Sequence, residues 1–334
     1  MNASAGRGRA EILRRVATSI PVRAAVTLGL LGLIATRIDW AQFADRLEHG
    51  HWGLFAAAVA VIAVAIVVAG LRWLLFLRAA RVSAGAFRAV RAYEIGMFAN
   101  NFLPTGFGGD VARGWIVGRP TGSVPRAVGT VVVDRLTALG CLVALGWLTV
   151  AVQPRTVPDS LLALFAIVTV AGGFATAILV VSVRLLGAAG SREPRWGWLR
   201  GEAWDAVRLS VRKPSVMSST TAVGMVYQSG IVFATWLLAR AIDVDLSFSV
   251  LAVVTPLVLI ATLVPVSIGG FGLREATYAA LLSKVGVSAA DATLLSLLNV
   301  AALALATLPG AVALLVPAST PPGGQALGLQ SDDG

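Results

Sequence analysis

One cysteine, two histidines and two lysines are all that 334 residues contain of those types. A lone Cys141 excludes an intrachain disulfide and a cysteine metal cluster. It lies in an apolar stretch, where cysteine serves as a small core residue. His49 and His51 have no carboxylate cluster beside them and read as interfacial residues next to Trp52 rather than metal ligands. No metal and no cofactor are expected. Charge is scarce too: 13% of residues are Asp, Glu, Lys or Arg, against about a quarter in a soluble domain. The pattern Gly-x4-Gly-Lys-Ser/Thr is missing, which excludes that type of ATPase motor within the chain. His-Glu-x-x-His, Gly-x-Ser-x-Gly and metal-spaced carboxylate sets are missing as well, so no enzyme chemistry is expected. The glycines of GFGGD have no preceding strand and no βαβ context, and do not make a dinucleotide fingerprint.

What is abundant is apolar surface. Hydrophobic residues make up 57% of the chain and the mean hydropathy is +0.82. Several apolar windows of roughly 20 residues recur, the length that crosses ~30 Å of hydrocarbon. The chain therefore reads as an all-α integral membrane protein. Its formal charge of +10 comes almost wholly from arginine. Basic loops retained on the cytoplasmic side explain that charge without a nucleic-acid partner.

One pattern occurs twice. PTGFGGDVAR runs from Pro104 to Arg113, and PVSIGGFGLR runs from Pro265 to Arg274, followed at once by Glu275. Both have Pro, three residues, Gly-Gly, three residues, then Arg. Each follows a long apolar stretch. Proline and glycine interrupt helices, and helix breaks at corresponding places in two halves of a membrane protein point to a transport site.

Residues 1–20 are basic and lack a clear cleavage site, so Val22–Thr36 reads as an uncleaved first span with a cytoplasmic N-terminus. Trp52–Leu71 is the clearest span, and Arg72, Arg78, Arg81, Arg88 and Arg91 after it form a cytoplasmic signature. Ala92–Leu103 is too short to cross, and the chain turns basic again at Arg119, which predicts a re-entrant hairpin around the first motif. Full spans are expected over Ala127–Val152, Leu161–Val183, Val216–Leu238 and Ala289–Val316. Phe248–Val264 and Ala276–Leu282 predict a second hairpin from the opposite side, although the first of these is long enough to cross. The architecture is thus six spans and two hairpins, or eight spans, in a cell membrane with both termini cytoplasmic. Residues 21–316 form the transmembrane domain, with inverted repeats over about 52–152 and 216–316. Within the basic loop 184–215, Trp196, Leu199, Ala203, Val207 and Val211 share a helical face, which suits either an anionic leaflet or packing beneath the bundle. The tail 317–334 reads as disordered.

A charge near the bilayer centre costs about 2.5–3.5 kcal/mol on insertion scales, so the acidic and basic residues of the motifs must face one another, water or a ligand. One reading is a pair of internal salt bridges, Asp110–Arg113 and Arg274–Glu275. The other is a phosphate site: each Arg follows Gly-Gly where a new helix can start, and exposed N–H groups there attract anions. Arg113 and Arg274 would hold the phosphate in two-pronged fashion. Asp110 and Glu275 would hold those arginines or contact a cationic headgroup, and Asp134 and Arg135 would line the cavity. The competing reading makes Asp134–Arg135 one self-satisfied ion pair. Asn100 and Asn101 would satisfy the broken helix, and Glu94 could carry a proton or sit at the interface. Pro104, Gly108, Gly109, Pro265, Gly269, Gly270 and Gly272 would permit close backbone approach and hinge motion.

The segments NNFLPTGFGGDVARGW, VVVDRLTALG and PVSIGGFGLREATYAALLSKVGVSAADA together resemble the flippase-like transmembrane region of lysylphosphatidylglycerol synthases, over about residues 20–316. The acidic–Arg pair of that family corresponds to Asp134–Arg135, and its Gly-Gly-x-Gly-x-Arg-Glu signature to Gly269–Glu275. The resemblance implies a protein that moves phospholipid-type molecules between leaflets, with relatives linked to aminoacylated phosphatidylglycerol or polyprenyl-phosphate glycolipids. No aminoacyl-transferase domain follows the spans, so lysylphosphatidylglycerol synthesis is not expected. The implied partners are membrane lipids. Two rival readings are a membrane-embedded headgroup transferase and a non-transporting partner of a separately encoded glycosyltransferase or lipid-modifying enzyme.

Overall fold

A computed structural model describes residues 27–29, 32, 33, 35, 36, 39–102, 108–188, 194–263, 267 and 269–315. The basic segment 1–20, Pro104, Pro265 and the tail 317–334 lie outside them, as does most of the expected first span. Every regular element among the described residues is helical. In chain order these are α1 (Trp40–Glu48), α2 (Trp52–Ala79), α3 (Ala86–Phe102), α4 (Gly108–Gly118), α5 (Val124–Val152), α6 (Asp159–Ala188), α7 (Pro194–Val211), α8 (Pro214–Ala241), α9 (Phe248–Thr262), α10 (Leu273–Leu282), α11 (Ala289–Ala306) and α12 (Leu308–Leu315). Five stretches are long and apolar enough to cross a membrane: Trp52–Ala79, Val124–Val152, Asp159–Ile178, Pro214–Ala241 and Ala289–Leu315. Their outward faces expose Val64, Leu148, Ile167, Phe174 and Ile178, an apolar surface that water would not tolerate and lipid does.

Local chemistry sets the helix ends. The Asp39 carboxylate accepts from the Ala41 and Gln42 N–H groups at the start of α1. Ser247 and Ser288 accept from Val250 and Asp291 at the starts of α9 and α11, and prolines occupy the first turns of α5 and α8. Side-chain caps and first-turn proline both suit the unpaired N–H groups there.

The bundle has two poles. At the first, the His51 N–H donates to the Ala241 carbonyl at 2.8 Å, Ser249 donates to Gln153 at 3.0 Å, and Arg46 lies 3.5 Å from Asp291. These contacts gather the start of α2, the ends of α5 and α8, and the starts of α9 and α11. At the second pole, the Ser123 N–H donates to the Gly118 carbonyl, Arg126 approaches Glu202, and Arg91 donates to the Ala313 carbonyl. Helices α3 and α4 therefore leave from and return to the second pole, whereas α9 and α10 leave from and return to the first. With 15 and 10 residues, α9 and α10 reach only ~22 and ~15 Å. Phe248–Val264 thus does not form a full crossing helix; α9 stops at Thr262 and carries Pro256 inside.

Packing respects the repeat. Helix α2 lies along α8; α5 packs on α8 as α11 packs on α2; and α5 packs on α9 as α12 packs on α3. Exchanging the two halves preserves the helix neighbours.

Two expectations need correction, and of the two readings left open for 184–215 packing against the bundle is the one found. Helix α2 does not end at Leu71: it continues to Ala79, and Arg72 is fully buried rather than cytoplasmic. The last span is two helices, broken at Thr307 ahead of Pro309. Helix α7 packs against α5 through Ala206 and Ser210, which are fully buried, while Val211 is exposed. The cause of that docking is Gly129 on α5: a Cβ there would strike the Ala203 carbonyl, so the two helices touch backbone to backbone.

Candidate functional site

The first motif builds a row of five buried or half-buried charges between α2, α4 and α5. Arg72 donates from Nη2 to Asp134 Oδ1 at 2.6 Å and to the Asp134 carbonyl at 3.0 Å. The other Asp134 oxygen accepts from Arg113 Nη2 at 2.9 Å. Arg113 Nε donates to Asp110 Oδ1 at 3.1 Å. Asp110 Oδ2 accepts from Arg135 Nε at 2.7 Å. The order Arg72–Asp134–Arg113–Asp110–Arg135 alternates in sign and ends on arginine at both sides, which leaves one positive charge uncompensated within the row.

The expected Asp110–Arg113 pair is present, but Asp134–Arg135 is not a pair. Adjacent helical residues point in different directions, and each reaches α4 instead. Asp134 and Arg135 lie about ten residues into α5, roughly 15 Å along it. The row therefore lies well inside the bundle, away from the end of α5.

Aromatic rings hold the cations. The Arg113 guanidinium lies 4.8 Å from the Trp73 ring centre and 4.3 Å from that of Tyr93, and Arg72 lies 5.8 Å from the Tyr227 ring. Such placements attract a cation through the ring's negative face, more strongly where water is excluded. Trp73 is itself fixed by a hydrogen bond to Thr130 at 3.0 Å. Two guanidinium groups nevertheless keep spare donors: Arg72 Nε and Nη1 and Arg113 Nη1 are buried with no hydrogen-bond partner among the described residues. Arg135 alone opens outward, with 40% of its side chain exposed.

Glycines allow this crowding. A Cβ on Gly109 would run into the Gly96 carbonyl, so α3 and α4 meet backbone to backbone, and Tyr93 is brought over Arg113. The Gly109 N–H donates to Asn100 Oδ1 at 2.8 Å, capping the start of α4 beside Gly108. Asn101 turns elsewhere: it donates to Thr307 Oγ1 at 2.8 Å and ties the end of α3 to the break between α11 and α12. A Cβ at Gly224 of α8 would lie 2.9 Å from Arg72 Nη1.

The second motif is built differently. Gly269, Gly270 and Gly272 have φ of 60°, 80° and 79°, left-handed conformations that only glycine adopts readily. Glu275 is fully buried, accepts from the Gly272 N–H at 2.6 Å and from Ser296 Oγ at 3.0 Å. It caps its own helix, α10, where the helix dipole favours a negative charge. Arg274 is half-buried, donates to the Gly269 carbonyl at 3.2 Å and forms no ion pair among the described residues. The expected Arg274–Glu275 bridge does not form, and neither residue joins the charged row.

Four expected site residues thus converge: Asp110, Arg113, Asp134 and Arg135. Arg72, Trp73, Tyr93 and Tyr227 complete the site and escaped the sequence reading. One signal for Arg72 existed: the apolar run resumes after it as Trp-Leu-Leu-Phe-Leu, so the span had not ended.

The family described as lysylphosphatidylglycerol synthase TM region matches residues 20–311. No curated protein and no solved structure matches the chain.

Proposed function

The chain belongs to the lysylphosphatidylglycerol synthase TM-region family, and from that premise we propose that this polytopic helical membrane protein is a flippase or scramblase for a lipid bearing a phosphate. The observation that carries the proposal is the charged row with its surplus arginine. A buried guanidinium with unmade hydrogen bonds is costly, and a phosphodiester supplies both the missing charge and the acceptor oxygens. The headgroup enters past Arg135 and takes donors from Arg113 and Arg72. Trp73 and Tyr93 hold Arg113 while its carboxylate partners exchange for phosphate.

Alternating access comes from the two half-length helix pairs, which serve as re-entrant hairpins from opposite poles. Arg274, which has no carboxylate partner among the described residues, offers the phosphate a stop on the side of the second hairpin, and the left-handed glycines before it supply the hinge. The second pole faces the cytoplasm: Arg78, Arg81, Arg88, Arg119 and Arg126 gather there, and basic residues stay inside. With no motor in the row, movement runs down a gradient or couples to ions.

The test is headgroup accessibility in proteoliposomes, followed with several labelled lipids and a membrane-impermeant quencher. Wild type should expose a labelled phospholipid or polyprenyl phosphate from the inner leaflet, and Arg113→Ala with Arg274→Ala should not while remaining folded. Wild-type protein that moves no lipid in such a panel defeats the proposal.

A further inference from the structure

A second basic cavity lies at the second pole, outside the charged row. It encloses about 300 Å³ and is walled by the end of α2, the start of α5 and one face of α7. Its lining is Arg81, Arg126, Asp205, Arg208, Leu209 and Arg212. Asp205, Arg208 and Leu209 of α7 and Arg212 just past its end stand at i, i+3, i+4 and i+7, one stripe of the helix. The docking of α7 through Ala206 and Ser210 turns that stripe along the cavity wall. Arg81 enters from the other side on a left-handed residue, φ 60°, that ends α2.

Charge is unbalanced in this space. Among the described residues Arg81, Arg208 and Arg212 form no ion pair, and Arg126 has only Glu202 at 3.8 Å. Arg126 Nε is buried with no hydrogen-bond partner among the described residues. Like charges gathered around one cavity repel unless an anion lies between them. With the second pole at the membrane surface, as in the proposed orientation, the cavity would open at headgroup level, where basic pockets take anionic headgroups.

We infer that the cavity between α2, α5 and α7 is a binding site for a phosphoryl anion, separate from the transport row and independent of whether the chain moves lipid. Arg81, Arg208 and Arg212 supply the exposed side of the grip, half-buried Arg126 the deeper side, and Asp205 limits the net charge. The phosphoryl group belongs to an anionic lipid or to a free phosphate compound, and both use the same donors.

The experiment is equilibrium binding to the full chain in nanodiscs, which needs no transport. Spin-labelled phosphatidylglycerol, with phosphatidylcholine as reference, reports the lipid headgroup; calorimetry with inorganic pyrophosphate reports the free anion. Arg208→Gln with Arg212→Gln should weaken the bound probe by at least about tenfold, the loss of one charge-assisted hydrogen bond. Asp205→Asn should tighten it. Arg78→Gln with Lys213→Gln removes the same charge from the neighbouring cavity lined by Leu75, Ser215 and Ser219 and should change little. Selective retention of phosphatidylglycerol assigns the site to lipid, and pyrophosphate binding with the same variant dependence assigns it to a free phosphate. Equal weakening by both double variants, or by neither, overturns the site. Both substituted arginines are exposed, so the fold survives their replacement.

Discussion

Asp134 and Arg135 are neighbours on α5 and bind opposite partners on α4: Asp134 takes Arg113 at 2.9 Å and Arg135 takes Asp110 at 2.7 Å. Two helices are thereby laced by crossed ion pairs of opposite order. A single buried pair fixes a distance between two helices. Two crossed pairs also resist rotation, and Arg72 extends the lacing to α2 at 2.6 Å.

Removing the centre of the row is costly. Asp134→Asn strips the charge partner from both Arg72 and Arg113, and breaking a buried pair costs about 3–5 kcal/mol. Thermal unfolding in detergent should show a large loss. Adding Arg72→Met should restore part of it, with a coupling of about 0.5–3 kcal/mol between the two sites; strict additivity would disprove the coupling.

Arg113→Lys separates charge from geometry. Lysine keeps the charge but cannot reach Asp110 and Asp134 together or stack between Trp73 and Tyr93 in the same way. Transport should fall on the order of tenfold or more, the loss of one charge-assisted bond, while the protein remains folded. Wild-type flux in this variant would show that the bridging geometry is dispensable.

Gly109→Ala should destabilise by about 1–3 kcal/mol, because the new methyl meets the Gly96 backbone, which has no freedom to move aside. Gly140→Ala on α5 is the control: nothing lies within 4 Å of a Cβ there. Alanine should stabilise it by up to about 1 kcal/mol. Melting temperatures of the two variants should move in opposite directions.

Glu275 acts through acceptor oxygens at a helix start. Glu275→Gln keeps an acceptor for the Gly272 N–H and should retain most stability and transport. Glu275→Ala should lose about 1–2 kcal/mol, the range of a lost cap. A transport collapse in the glutamine variant with the fold intact would instead give the charge a direct role.

His49 carries the pH signature. Its Nδ1 lies 3.1 Å from the Asp45 carbonyl, and the bond to that carbonyl and then the Asp45 charge raise its pKa above the ordinary histidine value. A raised folded-state pKa means that the protonated form favours the fold. The contribution is present in full below the unfolded pKa and is lost as pH rises through the folded one. Proton NMR of His49 should show the raised midpoint, and Asp45→Asn should lower it.

The sequence by itself determined the membrane class, five of the long spans and the doubled helix break. Those follow from composition and from glycine and proline, which act locally. It also marked Asp110, Arg113, Asp134 and Arg135, because charges in apolar runs are conspicuous. Which charges pair was decided only in three dimensions. Asp134 chose Arg72 and Arg113 over its neighbour because helix geometry sends consecutive side chains apart and α2 and α4 present guanidiniums across the gap. Glu275 left the charged group for the same kind of reason. The left-handed glycines start α10 with open N–H groups at its end, and the nearest acceptor that closes them is the carboxylate three residues on. The depth of Arg72 was likewise a tertiary matter. An arginine in an apolar helix reads as a terminus until a buried aspartate on another helix is there to meet it.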